Sequence, residues 1–324
     1  MASLSLAAMR QFLSTSVTSG KSSGGVVNKN KIHGLLAEVY LRQHLTQLGF
    51  GDRVSVGGWI SRSESRGGLK FGEKIVALFP ETILPEVDLS PNRPPPVTTQ
   101  GLHTIGSTFH TLGINSFFCF AEIGTKDDAG SVAWKAVQLG LPQAQQPQPL
   151  VQAMSGFGVR PKPWNFLRNK TDVQAVIDVV VPEEFTKENL RVSFQSHFYT
   201  QTVDVDGLFW GQQYTYPMEV KEKTVANEPQ IGDYFGLDVG PFVKLSFYAA
   251  KRGNLHSLFI VREINNTTDR KLVNWWYTTF DEIAQYGSWV LKSGGASMGG
   301  GASAVVPIPK WVFKPLDKHA LAAL

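Results

Sequence analysis

Four charged side chains in the stretch VDVDGLFWGQQYTYPMEVKEK have a spacing that suits metal-dependent chemistry. Alternate residues of a β-strand share a face, so Asp204 and Asp206 point together, as do Glu219 and Lys221. Two carboxylates held close together repel each other unless a cation lies between them, and Mg²⁺ prefers such oxygen ligands. A neighbouring lysine adds a positive charge that can hold an attacking water or stabilise a pentavalent phosphorane. These residues therefore indicate a candidate site for phosphoryl-transfer chemistry.

The segment between the two charged strands is short and contains a glycine, which predicts a hairpin that turns at its two glutamines. This register sets Asp206 opposite Glu219 and Asp204 opposite Lys221, with directly opposed Cβ atoms about 5 Å apart. If the register differs, Asp204 and Lys223 are the alternative pair. The same charges are also typical of an ordinary solvated hairpin with cross-strand ion pairs.

Several flanking elements must hold this hairpin in place. The apolar residues of NKIHGLLAEVYLRQHLTQLGF predict a helix from about Lys31 to Leu48. After the hairpin, PFVKLSFYAAKR predicts a helix with Pro241 at its first position, and LHSLFIVREI predicts a central strand. The apolar character of these neighbours favours a hairpin that is partly buried.

Two segments before the hairpin have the residue patterns of strands: the first is continuously apolar, and the second places Val192, Phe194 and Phe198 on one side. VIDVVVP, residues 176–182, and LRVSFQSHFYTQ, residues 190–201, predict strands. Further along, TFDEIAQYGSWVLKSGG opens with Thr279 and Glu282 in capping-box spacing and predicts a helix that closes on Gly294. The sequence shows no visible internal repeat.

The hairpin resembles the active-site motif of the PD-(D/E)XK nuclease superfamily, the fold of type II restriction endonucleases and archaeal-type Holliday junction resolvases. In VDVDGLF one strand ends with Asp206, and in PMEVKEK the next carries Glu219, Val220 and Lys221. Val205 stands where the family pattern has its leading proline. The resemblance implies that Asp206, Glu219 and the carbonyl oxygen of Val220 bind Mg²⁺. It also implies that Lys221 orients or activates the attacking water.

Many members of this superfamily carry a further glutamate on a helix that precedes the core. HGLLAEVYLRQHLTQLG matches that pattern and offers Glu38 as a catalytic residue. Helical spacing places Glu38 at the edge of the apolar stripe, where an unpaired carboxylate is costly. The alternative interpretation is an exposed boundary residue whose carboxylate reaches water.

The resemblance implies an α/β (α+β) fold with a restriction-endonuclease-like central mixed sheet flanked by helices. We expect a flexible N-terminal tail over residues 1–27 and a single nuclease domain over residues 28–324. This domain would hold a large insertion at about 60–190 and a catalytic core at about 191–294. In restriction endonucleases such insertions commonly form target-recognition elements, so we expect the insertion to contact DNA.

One segment inside the insertion, GVRPKPWNFLRNK, mixes cationic and aromatic side chains. The candidate DNA-binding residues are Arg160, Lys162, Trp164, Arg168 and Lys170. Such a mixture suits phosphate contacts and base stacking, and it equally suits a solvated basic loop.

The composition is that of a globular protein with a mild positive charge. The net charge is +4 and the pI is about 9.0, which is compatible with a polyanionic partner. The single cysteine, Cys119, lies in an apolar run and excludes a disulfide framework within the chain. No apolar stretch approaches the roughly 20 residues of a bilayer span, so we expect no membrane partner.

The leading hypothesis is a magnesium-dependent endonuclease that cuts double-stranded DNA, most similar to a type II restriction enzyme. A homodimer is expected, because one site cuts one strand and symmetric cleavage needs two related sites. The alternatives are a structure-specific nuclease or junction resolvase of the same fold, or a non-catalytic DNA-binding protein. We expect a bacterial or archaeal cytoplasmic location. The N-terminal segment has no acidic residue, so organelle targeting stays open.

Overall fold

The computed structural model describes residues 2–16, 29–66, 68–91, 93–98, 100–141, 145–163, 178–250, 254–296 and 302–324. Of these, residues 2–16 and 56–205 form one compact unit, called unit 1 here, and residues 29–55 and 206–324 form a second, called unit 2. The predicted insertion at about 60–190 lies within unit 1.

Unit 1 combines helices with a mixed sheet. Its elements are α1 (Leu6–Ser16), nearly all of β1 (Val54–Ser63), β2 (Ile75–Pro80), α3 (Gln100–Thr111), β3 (Asn115–Ile123), β4 (Val132–Gln138), β5 (Gln148–Pro149), α4 (Leu150–Ala153), α5 (Val181–Gln195) and the first half of β6 (Thr200–Trp210). The sheet order is β1-β2-β3-β4-β5. Strands β2 and β3 are parallel, since α3 crosses between them, and the other pairs are antiparallel.

The core of unit 1 lies between its sheet and its helices. On α3, Phe109 is fully buried and stacks on Phe79 of β2, with ring centroids 6.3 Å apart. Leu4, which precedes α1, is fully buried. Phe12 of α1 packs edge-on against Phe185 of α5, with ring centroids 5.2 Å apart. Residues 2–16 are therefore a packed segment and not part of the flexible tail that was predicted. Residues 17–28 lie outside the described residues.

Unit 2 contains the rest of the chain. Its elements are α2 (Lys29–Gln47), the second half of β6, β7 (Thr215–Lys223), β8 (Ala226–Glu228), β9 (Gly232–Asp238), α6 (Val239–Ala249), β10 (Leu258–Ile264), β11 (Leu272–Thr279), α7 (Phe280–Tyr286), β12 (Lys292–Ala296), β13 (Ala302–Pro309), β14 (Lys314–Pro315) and α8 (Lys318–Ala323). One sheet has the order β6-β7-β10-β11-β14 and the other has the order β12-β13-β9-β8. In the first sheet β7 and β10 are parallel and the other pairs are antiparallel.

The two faces of β7 contact different cores. Met218 and Val220 point into an apolar cluster with Leu41 and Leu45 of α2. On the other side, Phe259 of the neighbouring strand β10 joins a second cluster that α6 covers. A fold with helices flanking a mixed sheet, as the sequence predicted, is confirmed.

The elements nearest the hairpin were predicted well, and those before it were not. Helix α2, helix α6 and strand β10 are confirmed, although Pro241 is the third residue of α6 and not the first. The strand predicted over 190–201 is wrong, because α5 continues to Gln195 and β6 starts only at Thr200. In the strand predicted over 176–182, residues 176 and 177 lie outside the described residues, 178–180 form a turn and α5 begins at Val181.

The predicted capping box at the start of α7 is present. Glu282 Oε2 accepts a hydrogen bond from the Thr279 backbone N–H at 3.1 Å. The helix is shorter than predicted, because it ends at Tyr286 and Gly287 follows it in an extended conformation. No helix within the described residues combines the length and apolar character that crossing a bilayer requires.

Candidate active site

The β6–β7 hairpin has the predicted register. Its paired residues run from Trp210 opposite Thr215 to Gly207 opposite Met218. Asp206 and Glu219 are the next residues along the two strands, just beyond the last pair. Asp206 and Glu219 therefore lie at the same end of the hairpin, where the predicted register puts them.

Where the backbone pairing of β6 and β7 ends, the Asp206 carboxylate accepts a hydrogen bond from the backbone of β7. Its Oδ2 accepts a hydrogen bond from the Val220 N–H at 2.8 Å, in a buried setting. The Asp206 residue is only 3% exposed. A buried carboxylate costs free energy unless it is hydrogen-bonded or paired, and this contact with Val220 also fixes its orientation.

The Glu219 carboxylate lies between two ammonium groups. Lys221 Nζ is 2.6 Å from Glu219 Oε1, and Lys244 Nζ of α6 is 2.6 Å from Glu219 Oε2. The Glu219 side chain is 1% exposed, whereas that of Lys221 is 32% exposed. Lys221 therefore connects a buried carboxylate to solvent, as a residue that meets a substrate must.

The surrounding charges control the protonation of the lysines. Burial acts to lower the pKa of Lys221, but the negative charges of Glu219 and Asp206 outweigh it, and the pKa is raised above its ordinary value. Lys221 is therefore an ammonium at neutral pH and donates hydrogen bonds. The pKa of Lys223 is lowered by burial, against the opposing charge of Asp238.

Asp206 and Glu219 belong to unit 2, as does helix α2, which carries Glu38. Helix α2 packs against β7, and Glu38 is buried on it. Leu41 and Leu45 of α2 contact the face of β7 that presents Val220, which is opposite the face that presents Glu219. The alternative of an exposed Glu38 is wrong, since this side chain is buried.

The alternative pair, Asp204 and Lys223, is less enclosed. Both residues are partly exposed, whereas Asp206 and Glu219 are buried. Asp204 lies two residues further from the last paired position of the hairpin than Asp206 does. The buried pair is therefore the better candidate for a preorganised site.

The donor set can be compared with the demands of different metals. Among the described residues, no group of three or more His, Cys, Asp and Glu side chains is arranged to hold a metal. A zinc site usually needs three or four protein ligands, whereas Mg²⁺ uses one or two carboxylates and fills its shell with water and phosphate. Asp206 and Glu219 fit the second demand. Both Glu219 oxygens are already in contact with ammonium groups.

The predicted DNA-binding residues of unit 1 differ in their structural settings. The Arg160 Nε donates to the backbone oxygens of Gln195 and Phe198, at 3.0 and 3.1 Å, and its guanidinium lies 4.5 Å from the centroid of the Tyr199 ring. Arg160 is therefore a structural anchor. Lys162 is exposed. Trp164, Arg168 and Lys170 lie outside the described residues.

Sequence reasoning missed Lys244. It is the only charged residue in VGPFVKLSFYA, the sequence of α6, and its side chain is 9% exposed. A single lysine in an otherwise uncharged helix is a weak signal for a buried ion pair. The identity of its partner depends on how α6 packs over β7, which no local pattern contains.

Comparisons with known proteins add no relative. No protein-family model matches the chain, and no curated protein or solved structure matches it either.

Proposed function

We propose that this protein is a magnesium-dependent endonuclease that hydrolyses phosphodiester bonds of double-stranded DNA. The observation that carries the proposal is the pair of buried carboxylates, Asp206 and Glu219, at the end of the β6–β7 ladder, with Lys221 on Glu219. Burying two carboxylates in one hairpin costs free energy, and an ordinary surface hairpin does not require it. Such clusters concentrate at functional sites.

In this proposal Asp206, Glu219 and the Val220 carbonyl oxygen would hold Mg²⁺. A bound Mg²⁺ would polarise the scissile phosphate and lower the pKa of a bound water. The Val220 N–H fixes Asp206 from the side of the backbone. Lys221, which is partly exposed, would place its positive charge beside the attacking water and the phosphate.

The order of elements in unit 2 supports a PD-(D/E)XK nuclease. Helix α2, the β6–β7 hairpin, the crossover helix α6 and strand β10 parallel to β7 follow the sequence that the resemblance implies. The proposal extends to a type II restriction endonuclease that acts as a homodimer, with unit 1 as its DNA-recognition part. The net charge of +4 is compatible with a polyanionic partner.

One observation favours a second candidate, a non-catalytic DNA-binding protein. Both oxygens of Glu219 already have an ammonium partner, which is the pattern of a buried ion pair that only stabilises a fold. A protein of this kind would bind DNA without cutting it, whichever divalent metal was present.

The test is nicking of supercoiled plasmid by the purified protein with Mg²⁺ or Mn²⁺. Asp206→Asn, Glu219→Gln and Lys221→Met should each lose activity by at least about 100-fold, because each removes a group that acts in the transition state. Asp204→Asn and Lys223→Met are matched controls and should stay within about threefold of the parent.

The outcomes separate the candidates. DNA binding without cutting under either metal favours the non-catalytic protein. Loss of activity in Asp204→Asn but not in Asp206→Asn overturns the site assignment. Discrete fragments from genomic DNA identify a restriction enzyme, whereas preferential cutting of four-way junctions identifies a resolvase.

A further inference from the structure

Lys244 is a buried cation of the candidate site that the family resemblance does not assign. It is the sixth residue of α6, and its side chain is 9% exposed. Its Nζ lies 2.6 Å from Glu219 Oε2, while Lys221 takes Glu219 Oε1 at the same distance. The two oxygens of one buried carboxylate thus have different cationic partners from different elements.

The charges of this cluster balance. Asp206 and Glu219 contribute two negative charges, and Lys221 and Lys244 contribute two positive charges. A second carboxylate beside a buried one raises the cost of ionising both, and nearby ammonium groups remove that cost. Without Lys244, Asp206, Glu219 and Lys221 would together carry one net negative charge.

We propose that Lys244 is a built-in counter-cation that holds the Glu219 carboxylate in its site-facing position until a divalent cation binds there. This inference rests on the proposed magnesium site. Lys244 is a positioning residue, since it acts through Glu219 and does not contact substrate in this role.

Lys244 and a divalent cation compete for the same carboxylate. Like charges a few ångströms apart in a half-buried site repel strongly, so each cation weakens the binding of the other. The lysine therefore lowers the affinity of the site for Mg²⁺ while it stabilises the metal-free protein. These two effects have opposite signs, and a residue with a purely structural role shows only the second.

The experiment measures the thermal unfolding midpoint of the full-length chain in EDTA and across a Mg²⁺ titration. Lys244→Met removes the charge and keeps the length of the side chain, and Lys244→Arg keeps the charge. Lys310→Met is the matched control, because Lys310 Nζ lies 2.7 Å from Oε1 of another buried carboxylate of unit 2, Glu263. Glu219→Gln reports whether any effect of Mg²⁺ depends on the site.

We expect Lys244→Met and Lys310→Met both to unfold several degrees lower than the parent in EDTA. Mg²⁺ should raise the midpoint of Lys244→Met at about tenfold lower concentration than it raises that of the parent. Lys244→Arg should behave like the parent, and the Lys310→Met response to Mg²⁺ should not differ from it. If Lys244→Met does not fold, Lys244→Gln tests the same loss of charge with an uncharged polar side chain.

Two results overturn the inference in distinguishable ways. Equal Mg²⁺ responses of the parent and Lys244→Met, both abolished by Glu219→Gln, keep the metal site and make Lys244 a structural residue only. The absence of any Mg²⁺ response that depends on Glu219, in the parent and in Lys244→Met alike, removes the metal site and the counter-cation role together.

Discussion

Units 1 and 2 contain sheets with the same topology but different chemistry. In unit 1, the antiparallel pair β1–β2 is followed by α3, by β3 parallel to β2 and by antiparallel β4. In unit 2, the antiparallel pair β6–β7 is followed, after β8 and β9 of the four-stranded sheet, by α6, by β10 parallel to β7 and by antiparallel β11. Only the second pair carries acidic residues, since β1 and β2 contain none. The topology can therefore be built without the site.

The buried polar groups of unit 1 make contacts within the unit. On α5, Arg191 lies 2.6 Å from Glu188, and Asn189 accepts a hydrogen bond from the indole N–H of Trp134 at 2.8 Å. On β1, the Ser61 hydroxyl is 2.8 Å from that of Thr202. The Trp134–Asn189 and Ser61–Thr202 contacts tie different elements of unit 1 together, and the Arg191–Glu188 ion pair lies within α5. In unit 2, by contrast, the polar cluster reaches solvent through Lys221.

The largest expected effect tests whether the chemistry lies in one unit only. The double variant Asp206→Asn, Glu219→Gln should lose nuclease activity by at least about 100-fold, and by no more than the worse single variant, because the two groups act as a unit. Ser61→Ala, in the corresponding hairpin of unit 1, should change the rate by less than about twofold. Plasmid nicking rates, normalised to the folded fraction, provide the measurement.

A loss of activity in Ser61→Ala that matches the double variant would break the comparison. It would mean that the hairpin of unit 1 takes part in the reaction despite its lack of carboxylates.

The second-largest expected effect is on the free energy of unfolding, and it tests how tightly the two crossover helices, α3 and α6, pack. A Cβ added to Gly106 of α3 would lie 2.5 Å from the Leu139 Cβ and 2.9 Å from the Gly140 backbone nitrogen. Gly106→Ala should therefore lower the free energy of unfolding by about 2 kcal/mol. Gly240 of α6 has no atom within 4 Å of the corresponding position, so Gly240→Ala should be neutral within about 0.5 kcal/mol.

Urea denaturation of both variants measures this difference. Equal stabilities of Gly106→Ala and Gly240→Ala would show that α3 packs no more tightly than the start of α6, contrary to the structure.

The smallest effect compares one ion pair from each unit, and the pair of unit 2 is the one with a predicted pH dependence. Burial acts to raise the pKa of Glu282, but hydrogen bonds from Lys314, Thr279 and Thr278 outweigh it and lower the pKa below its ordinary value of 4.5. The stabilisation is thus present above pH 4.5 and is lost as the pH falls through the lowered value. Glu282→Gln should cost about 1 kcal/mol at neutral pH and nothing in strong acid.

The corresponding control in unit 1 is Glu122→Gln, since Glu122 Oε2 is 3.8 Å from Lys135 Nζ in a looser contact. Its cost should stay below about 0.5 kcal/mol. Unfolding free energies of both variants between neutral pH and acid give the comparison. A constant cost of Glu282→Gln at every pH would contradict the lowered pKa.

The sequence predicted the parts of unit 2 that local patterns determine. Helical spacing located α2, and the short turn fixed the register that places Asp206 beside Glu219. These features depend on neighbours a few residues apart, so a single sequence contains the information. The two residues most important to the proposed function, Asp206 and Glu219, were found in this way.

The misses have long-range causes. The β-branched run before Val181 favoured a strand, although Pro182 with Glu183 and Glu184 is a helix-start signal, and burial of α5 on nearly every side removed the periodicity that would have revealed it. The partner of Lys244 and the shared topology of the two sheets depend on pairings between distant segments. Neither can be recognised from the spacing of neighbouring residues in the sequence.

The position of α2 in the chain affects how the protein is made. Helix α2 packs on β7 in unit 2, yet all of residues 56–205 are synthesised between them. At typical rates of translation, this delay is on the order of ten seconds. During that interval the apolar stripe of α2, with Leu41 and Leu45, has no sheet of its own unit to cover it. A nascent chain would therefore expose this apolar surface of α2 until β7 has been synthesised.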